Sequence, residues 1–402
     1  MAGLVSTSEI HDARKRLAGV AVETPLDRSR ALSEHVGGEV FIKCENLQRT
    51  GSFKIRGAYN RISRLDASAK ETGVVAASAG NHAQGVALAA TLSGIPSRVF
   101  MPSGAALPKI EATKRYGAEV VLSGKDFGAA FAAATEYARD NDSVFVHPFD
   151  HPHIIAGQGT AGLEIVEALD DIGTIIVPVG GGGLISGISV AVKDACPGVH
   201  IIGVQATGAA SYPPSLAEGS PVALEEMSTI ADGIACNRPG ELTFAHCRQL
   251  VDEFVTVTDE EIAQALVFAL ERMKLLLEPS GAAGVAASLR DRNLTPPVVV
   301  VLSGGNIDPL LLLRLIRFGM SAAGRYFAFH TLISDSPGEL HRLLGLVAEA
   351  DANIVGVEHH REGARLQLDE VDVTLQVETR GKDHIAELSK RLADAGYLVR
   401  PR

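Results

Sequence analysis

Short apolar runs rich in valine and isoleucine alternate with longer alanine-rich stretches through most of the chain. The run GVVAAS is followed by GNHAQGVALAATL, and GTIIVPV is followed by GGGGLISGISVAVKDA. The short runs have no polar face, whereas the longer stretches have helical spacing. Strands that are apolar on both sides and alternate with helices are typical of parallel sheets covered on both faces. The pattern therefore predicts an α/β fold for residues 1–320.

The pattern changes near residue 320. RYFAFHTLIS is expected to form a strand, PGELHRLLGLVAEADA a helix opened by Asp335 or Ser336, and NIVGVEHH a second strand. A hairpin at Glu362 and Gly363, a third strand, a helix over DHIAELSKRLADAG and a strand over YLVR complete the segment. The order β-α-β-β-α-β predicts a ferredoxin-like α+β domain over residues 325–402.

Length, charge and cysteine content exclude several classes of protein. A chain of 402 residues exceeds what one core usually supports, which agrees with one large and one small domain. The net charge of -11 repels nucleic acid. The four cysteines form no CxxC pair, and the charged segment Met1–Val20 does not resemble a signal peptide. With no apolar stretch long enough to span a bilayer, we expect a cytoplasmic protein without a membrane partner.

Three polar or glycine-rich turns follow predicted strands. They are SAGNHAQG (78–85), VGGGGLISG (179–187) and LSGGN (302–306), and SFKIRGA (52–58) lies upstream of them. Ligands of open α/β sheets bind outside the carboxyl ends of the strands, which is where these turns lie. The turns are therefore expected to share one pocket.

The run Gly180–Gly183 opens a predicted helix, so its unhindered N–H groups and the helix dipole favour an anion such as phosphate. The run matches neither GxxxxGK[ST] nor a GxGxxG with a ribose-binding acid at the usual distance, which disfavours a nucleotide. Taken alone, four glycines are equally compatible with a tight strand-to-helix turn.

Lys54 follows Ser52 and Phe53 at the predicted start of a helix. A surface lysine without a function is the simplest interpretation of the tripeptide alone. The helix N-terminus and an adjacent aromatic ring would, however, both disfavour the charged form and lower the pKa of the amine. A neutral amine is what a Schiff-base lysine requires.

SFKIRGA, SAGNHAQG, VPVGGGGL and LSGGN, in this order, resemble the fold-type II pyridoxal-phosphate family. The resemblance covers nearly all of residues 1–320 and is most specific for the threonine ammonia-lyases (threonine dehydratases) and their relatives, the serine racemases. It implies two parallel-sheet subdomains and pyridoxal 5'-phosphate as cofactor. Residues 325–402 look like one ACT domain, as in the medium-length threonine ammonia-lyases.

The resemblance also implies a set of cofactor-binding residues. Lys54 would carry the cofactor and act as the catalytic residue, with Phe53 against the pyridine ring and Ser303 facing the ring nitrogen. Asn81 would bind the ring hydroxyl, and the glycine run would bind the phosphate. The implied residues are Lys54, Phe53, Asn81, Gly180, Gly181, Gly182, Gly183, Leu184 and Ser303.

The loop that contains Asn81 would bind the substrate carboxylate, largely through its backbone N–H groups. It comprises Ser78, Ala79, Gly80, Asn81 and His82. Glu278, in LLLEPSG, would lie near the cofactor ring.

The implied reaction begins when the amine of Lys54 takes the Cα proton of L-threonine. The β-hydroxyl then leaves, and the released enamine hydrolyses to 2-oxobutanoate and ammonia; L-serine would give pyruvate.

A serine-specific dehydratase and a serine racemase on the same scaffold remain alternatives. Racemases of this family place a serine where Ala79 stands, and a methyl group cannot transfer a proton. An inactive amino-acid sensor is a further alternative, which the intact Lys54, Asn81 and Ser303 disfavour.

The resemblance bears on metals and partners too. Family members often bind a cation through two carboxylates, but the matching positions here are Gln205 and Ser211. We therefore expect no bound metal and little dependence on magnesium or calcium. HPFDHPH (147–153) lacks helical zinc-site spacing and is interpreted as a structured loop. The ACT-like domain implies an amino-acid effector, such as isoleucine or valine, and a homo-oligomer, expected to be a tetramer.

Replacing Ser303 with aspartate tests how the residue that faces the ring nitrogen of the cofactor affects the reaction. A serine hydroxyl cannot stabilise a protonated pyridinium as a carboxylate does, so Ser303 is expected to favour prompt elimination over transamination. Ser303→Asp should therefore increase transamination or racemisation relative to elimination when all three rates are measured. Faster elimination without a gain in either side reaction would contradict this hypothesis.

Overall fold

The structure is a computed structural model that describes residues 3–290, 293–361 and 369–401. The chain forms two compact units, Met1–Pro309 and Leu310–Arg402. Within the described ranges, no helix is both long and apolar enough to cross a membrane.

The first unit contains two separate sheets, as the alternating sequence pattern predicts. Its strands are β1 (Leu26–Arg28), β2 (Val40–Lys43), β3 (Val74–Ala77), β4 (Ser97–Met101), β5 (Glu119–Leu122), β6 (Val144–Phe145), β7 (Thr174–Pro178), β8 (His200–Ala206), β9 (Glu253–Val257) and β10 (Val298–Val301). The larger sheet has the order β1-β2-β10-β7-β8-β9 and the smaller β5-β4-β3-β6. All neighbours are parallel except β1 and β2, which pair antiparallel.

Helices cover both sheets and connect their parallel strands. They are α1 (Thr7–Leu17), α2 (Arg30–Val36), α3 (Lys54–Ile62), α4 (Ala67–Thr72), α5 (Asn81–Leu92), α6 (Leu107–Arg115), α7 (Phe127–Asp140), α8 (Pro152–Ala168), α9 (Gly183–Ala195), α10 (Tyr212–Glu218), α11 (Glu241–Leu250), α12 (Asp259–Phe268) and α13 (Pro279–Arg290), and α14 (Pro309–Ala322) begins at the division between the units. The central strands are buried on both faces: every residue of β3, β7 and β10 is buried. The α/β prediction is confirmed.

The second unit has the predicted ferredoxin-like topology. Its elements are β11 (Tyr326–Ser334), α15 (Glu339–Glu349), β12 (Asn353–His360), β13 (Glu370–Glu378), α16 (Lys382–Asp394) and β14 (Arg400–Pro401). The sheet order is β12-β13-β11-β14, with antiparallel neighbours. One face of the sheet packs against α15 and α16 around Phe329, Leu343, Leu375 and Leu388.

Two details of this unit differ from the prediction. Helix α15 begins after Gly338, which has a φ of 98°, and not at Asp335 or Ser336. Glycine adopts this left-handed conformation at little cost, so it stops the loop and lets the helix start later. The last strand contains only Arg400 and Pro401 of the described residues, shorter than YLVR predicts. The predicted hairpin at 362 and 363 lies outside the described residues.

A buried group of four charged side chains, the charge cluster, fixes the orientation of α3. It consists of Lys43, Glu45, Arg56 and Glu164. Arg56 is 1% exposed and donates to both carboxylate oxygens of Glu45 and of Glu164. Lys43 Nζ donates to Glu164 Oε2 at 2.5 Å and to Thr24 O at 2.7 Å. Two cations thus balance two carboxylates, and the cluster links α3 to α8 and to the end of β2.

Replacing Arg56 with methionine would leave two buried carboxylates facing one lysine. Removing one partner of a buried ion pair costs about 3–5 kcal/mol, so Arg56→Met should lower the free energy of unfolding by that amount in urea titrations. Arg98→Met is the matched control, because the Arg98–Glu119 pair is partly exposed (29% and 58%). Such pairs contribute at most about 1 kcal/mol. Equal losses in the two variants would show that the charge cluster does not stabilise the fold.

Candidate active site

Lys54 is the first residue of α3 and is half-buried, and its amine contacts a backbone carbonyl and an aromatic ring. Nζ donates to Pro148 O at 3.0 Å and lies 5.1 Å from the centroid of the Phe53 ring. Burial lowers the pKa of Lys54 from 10.5 to about 8, partly opposed by Cys236 and Glu278. Desolvation is therefore the cause of the shift, and the neutral amine is accessible near neutral pH.

Asn81 is the first residue of α5, directly after the turn that follows β3. Its Nδ2 donates to Glu278 Oε1 at 2.7 Å, and its Oδ1 accepts from Asn306 Nδ2 at 2.8 Å. Asn306 also donates to Thr50 O. The contacts fix which way the Asn81 amide points. Because Asn81 follows the smaller sheet and Asn306 follows β10, the carboxyl ends of the two sheets meet at this position.

Glu278 is buried beside Asn81, and its backbone N–H donates to Gly304 O at 3.1 Å. Burial, together with the nearby charge of Asp232, raises the pKa of Glu278 from 4.5 to about 8, partly opposed by the hydrogen bond from Asn81. The carboxyl group is therefore mostly protonated near neutral pH and remains uncharged close to Lys54.

The glycine turn, Gly180–Gly183, connects β7 to α9. Gly182 has a φ of 95° and precedes the helix, a conformation that other residues rarely adopt. A Cβ on Gly181 would lie 2.4 Å from the ring of Phe149. The Gly181 carbonyl accepts from Thr243 Oγ1 at 2.6 Å and from Tyr212 OH at 3.4 Å. The first N–H groups of α9 have no carbonyl within the helix to bind, which is the arrangement that favours an anion.

Ser303 lies two residues beyond the end of β10 and is 4% exposed. Its carbonyl accepts from Phe53 N at 3.3 Å, and the next residue, Gly304, pairs with Ser52 in an isolated antiparallel bridge. These backbone contacts place Ser303 beside the segment that leads into Lys54.

The loop from Ser78 to His82 is held by hydrogen bonds and by apolar packing. Gly80 N donates to Ser78 Oγ at 3.1 Å, and the imidazole Nε2 of His82 bonds Val146 O at 2.8 Å. Burial lowers the pKa of His82 to about 3, so the ring is neutral and donates to that carbonyl. Ala79 packs against the small apolar cluster that contains Ala83. These contacts define the shape of the loop.

The segment HPFDHPH is closer to the site than the sequence indicated. Pro148 accepts from Lys54, and Phe149 packs on the glycine turn. Asp150 holds the segment in place, because its Oδ1 accepts from the N–H groups of Leu242 and Thr243 at 3.0 Å, at the start of α11. In the described ranges, no group of three or more His, Cys, Asp or Glu is arranged to hold a metal ion.

The residues that the sequence singled out are thus connected by contacts into one region, the cleft, which also includes Asn306, Pro148 and Phe149, to which the sequence assigned no function. Asn306 ends the LSGGN motif, so its position could have been noticed, whereas no motif marks the other two. The cleft contains an amine with a lowered pKa, a glycine turn shaped for an anion and buried hydrogen-bonding groups. This set of groups fits a flat, phosphate-bearing aldehyde such as pyridoxal phosphate.

Comparisons with known proteins agree with this geometry. Residues 17–304 match the family model described as "Pyridoxal-phosphate dependent enzyme". The chain is 47% identical to the L-threonine ammonia-lyase of Thermotoga maritima, over 99% of both chains. Among solved structures, maize serine racemase has a TM-score of 0.74 and 37% identity, covering 78% of this chain and 97% of the racemase. The processed form of threonine deaminase isoform 2 from Solanum lycopersicum has a TM-score of 0.72 and 38% identity, covering 79% and 95%.

The chain belongs to the family of pyridoxal-phosphate dependent enzymes. The fold class and the cofactor expected from the four motifs are thereby confirmed.

Folding makes Glu278 a weaker acid, and this has a measurable consequence. Its pKa rises from 4.5 to about 8, so across this range the folded state holds a proton that the unfolded state releases. The contribution of Glu278 to stability should therefore fall as pH rises from about 5 to about 8. Unfolding of the cofactor-free protein in urea should show the wild type losing stability relative to Glu278→Gln over this range.

Glu260→Gln, on an exposed position of α12, serves as the matched control and should show no such trend relative to the wild type. A constant difference between the wild type and Glu278→Gln from pH 5 to 8 would mean that the Glu278 carboxyl is ionised in the fold.

Proposed function

We propose that this chain is an L-threonine ammonia-lyase that removes water and then ammonia from L-threonine, giving 2-oxobutanoate. The observation that carries the proposal is the amine of Lys54, whose lowered pKa makes it a base near neutral pH and which binds Pro148 O, next to the Phe149 ring that packs on the glycine turn. The near full-length similarity to the L-threonine ammonia-lyase of Thermotoga maritima supports the choice of substrate.

The cofactor phosphate would be held by the N–H groups of the glycine turn and Leu184, at the start of α9. Asn81 is oriented by Glu278 and Asn306 to hydrogen-bond the ring hydroxyl. Phe53 would pack on the ring, and Ser303 would face the ring nitrogen. These assignments use groups from both sheets, so cofactor binding would bridge the two halves of the first unit.

When bound, pyridoxal phosphate supplies an electron sink that stabilises negative charge at the substrate Cα. Lys54 takes the Cα proton as a general base, which its pKa of about 8 allows near neutral pH. The loop Ser78–His82 binds the substrate carboxylate through backbone N–H groups. The carboxyl group of Glu278 is protonated and therefore carries no charge near the cofactor ring. Glu278 thus does not compete with the substrate carboxylate for the amine of Lys54.

L-Serine is proposed as a second substrate, which would give pyruvate. The two substrates differ by one methyl group, which a hydrophobic pocket distinguishes by only about 1–3 kcal/mol. Racemisation is expected to be poor, because Ala79 has no group that can carry a proton to the other face of the ring.

We further propose that the second unit is an ACT domain that binds an amino-acid effector, and that the protein works as a homotetramer in the cytoplasm. The ferredoxin-like topology of the second unit supports the first part. The Thermotoga maritima enzyme is matched over 99% of its length, so the similarity includes this unit.

Turnover and spectra measured together test the proposed activity. Purified wild-type protein supplied with pyridoxal phosphate should show a visible absorption band and release 2-oxobutanoate from L-threonine, measured as 2-oxo acid. Lys54→Ala should lose the band and reduce the rate by at least about a thousandfold, because it removes both the covalent attachment and the general base. Lys70→Ala, on an exposed position of α4, is the matched control and should keep the band.

Each other outcome points to a different function. A Lys54-dependent band without threonine turnover would retain the cofactor site and overturn the substrate assignment, with L-serine as the next substrate to test. A protein that forms no band with added cofactor would overturn the proposal and favour the alternative function of an inactive amino-acid sensor.

A further inference from the structure

Gln205 is a fully buried side chain beside the glycine turn, and the proposed reaction does not use it. It is the penultimate residue of β8 and is 0% exposed. Its Oε1 accepts from Tyr212 N at 2.9 Å, and its Nε2 lies 3.4 Å from Val179 O and 3.5 Å from Ala209 O. One amide therefore uses its oxygen and both of its N–H groups to bind three backbone positions.

Two of these backbone positions control the glycine turn. Val179 is the residue immediately before Gly180, so its carbonyl fixes how the chain enters the turn. Tyr212 starts α10, and its hydroxyl donates to Gly181 O at 3.4 Å. Gln205 thus connects Val179, at the entry of the glycine turn, with Tyr212, whose hydroxyl binds the Gly181 carbonyl.

The surroundings of Gln205 are rich in oxygen atoms and need a positive partner. The carbonyls of Val179 and Ala209 point at Nε2. The buried hydroxyl of Ser211 has no hydrogen-bond partner among the described residues. Carbonyl and hydroxyl oxygen atoms are the type of ligand that a hard cation such as calcium binds. Here the amide N–H groups of Gln205 supply the positive pole, without a net charge that burial would penalise.

We propose that Gln205 is a positioning residue for the glycine turn, and that its amide does internally what a coordinated cation would do in the same oxygen-lined space. The inference rests on the proposed function in one respect, because it takes the glycine turn to be the phosphate site. It predicts that the chemistry of this one side chain decides whether cofactor binding depends on a cation. Glutamate at this position has nearly the same shape but has no N–H group and adds a negative charge.

The test measures the binding of pyridoxal phosphate to cofactor-free protein, by absorbance titration in EDTA and again with calcium. The wild type should bind equally in both. Gln205→Glu should bind at least about tenfold more weakly in EDTA, the equivalent of one lost hydrogen bond, and should recover with calcium. Calorimetry should show calcium binding to Gln205→Glu and none to the wild type. Gln205→Met, which has no polar head, should bind weakly under both conditions.

Gln249→Glu is the matched control, since it adds the same charge at an exposed position of α11 and should behave as the wild type. Wild-type affinity of Gln205→Glu in EDTA would overturn the inference, as would weak binding that calcium does not restore. Thermal melting of each variant separates weak cofactor binding from misfolding. Failure of the proposed function is distinguishable, because it would appear as wild-type protein that binds no pyridoxal phosphate or does not act on L-threonine.

Discussion

The charge cluster of Lys43, Glu45, Arg56 and Glu164 is the interaction on which the geometry of the cleft depends. Arg56 lies two residues after Lys54 on the same helix, and its guanidinium is bound on two sides by buried carboxylates. Any rotation of α3 would break several charge-assisted hydrogen bonds between buried groups. The position of the Lys54 amine therefore depends on the charge cluster, which takes no part in the proposed reaction.

Burial has opposite effects on the two titratable groups of the cleft. It lowers the pKa of Lys54 to about 8 and raises that of Glu278 to about 8, so both groups are shifted towards their neutral forms. Pairs of groups whose environments shift their pKa values are typical of sites that transfer protons. The glycine turn, in contrast, offers backbone N–H groups, which have no pKa in this range. The cleft thus binds an anionic cofactor while adding little fixed charge around the reacting atoms.

Secondary structure is predicted best from the sequence where it depends on the residues within one helix or strand. The runs that form β3 with α5 and β7 with α9 show the predicted alternation of strands and helices. The contacts of Phe149 with the glycine turn could not be predicted in this way, because they depend on how distant segments pack. Gly338 shows the opposite case: a local signal for helix start was present at Asp335, but the glycine one turn later ended the loop.

Lys54, and no other lysine of the chain, is expected to bond covalently to the cofactor. Borohydride reduction of the protein with pyridoxal phosphate, followed by peptide mapping in a mass spectrometer, tests it most directly. Lys43 is the internal comparison, since it is 1% exposed and its amine is held by Glu164. The account predicts the pyridoxyl modification on Lys54 alone. Modification of Lys43 or of another lysine, with Lys54 unmodified, would contradict it.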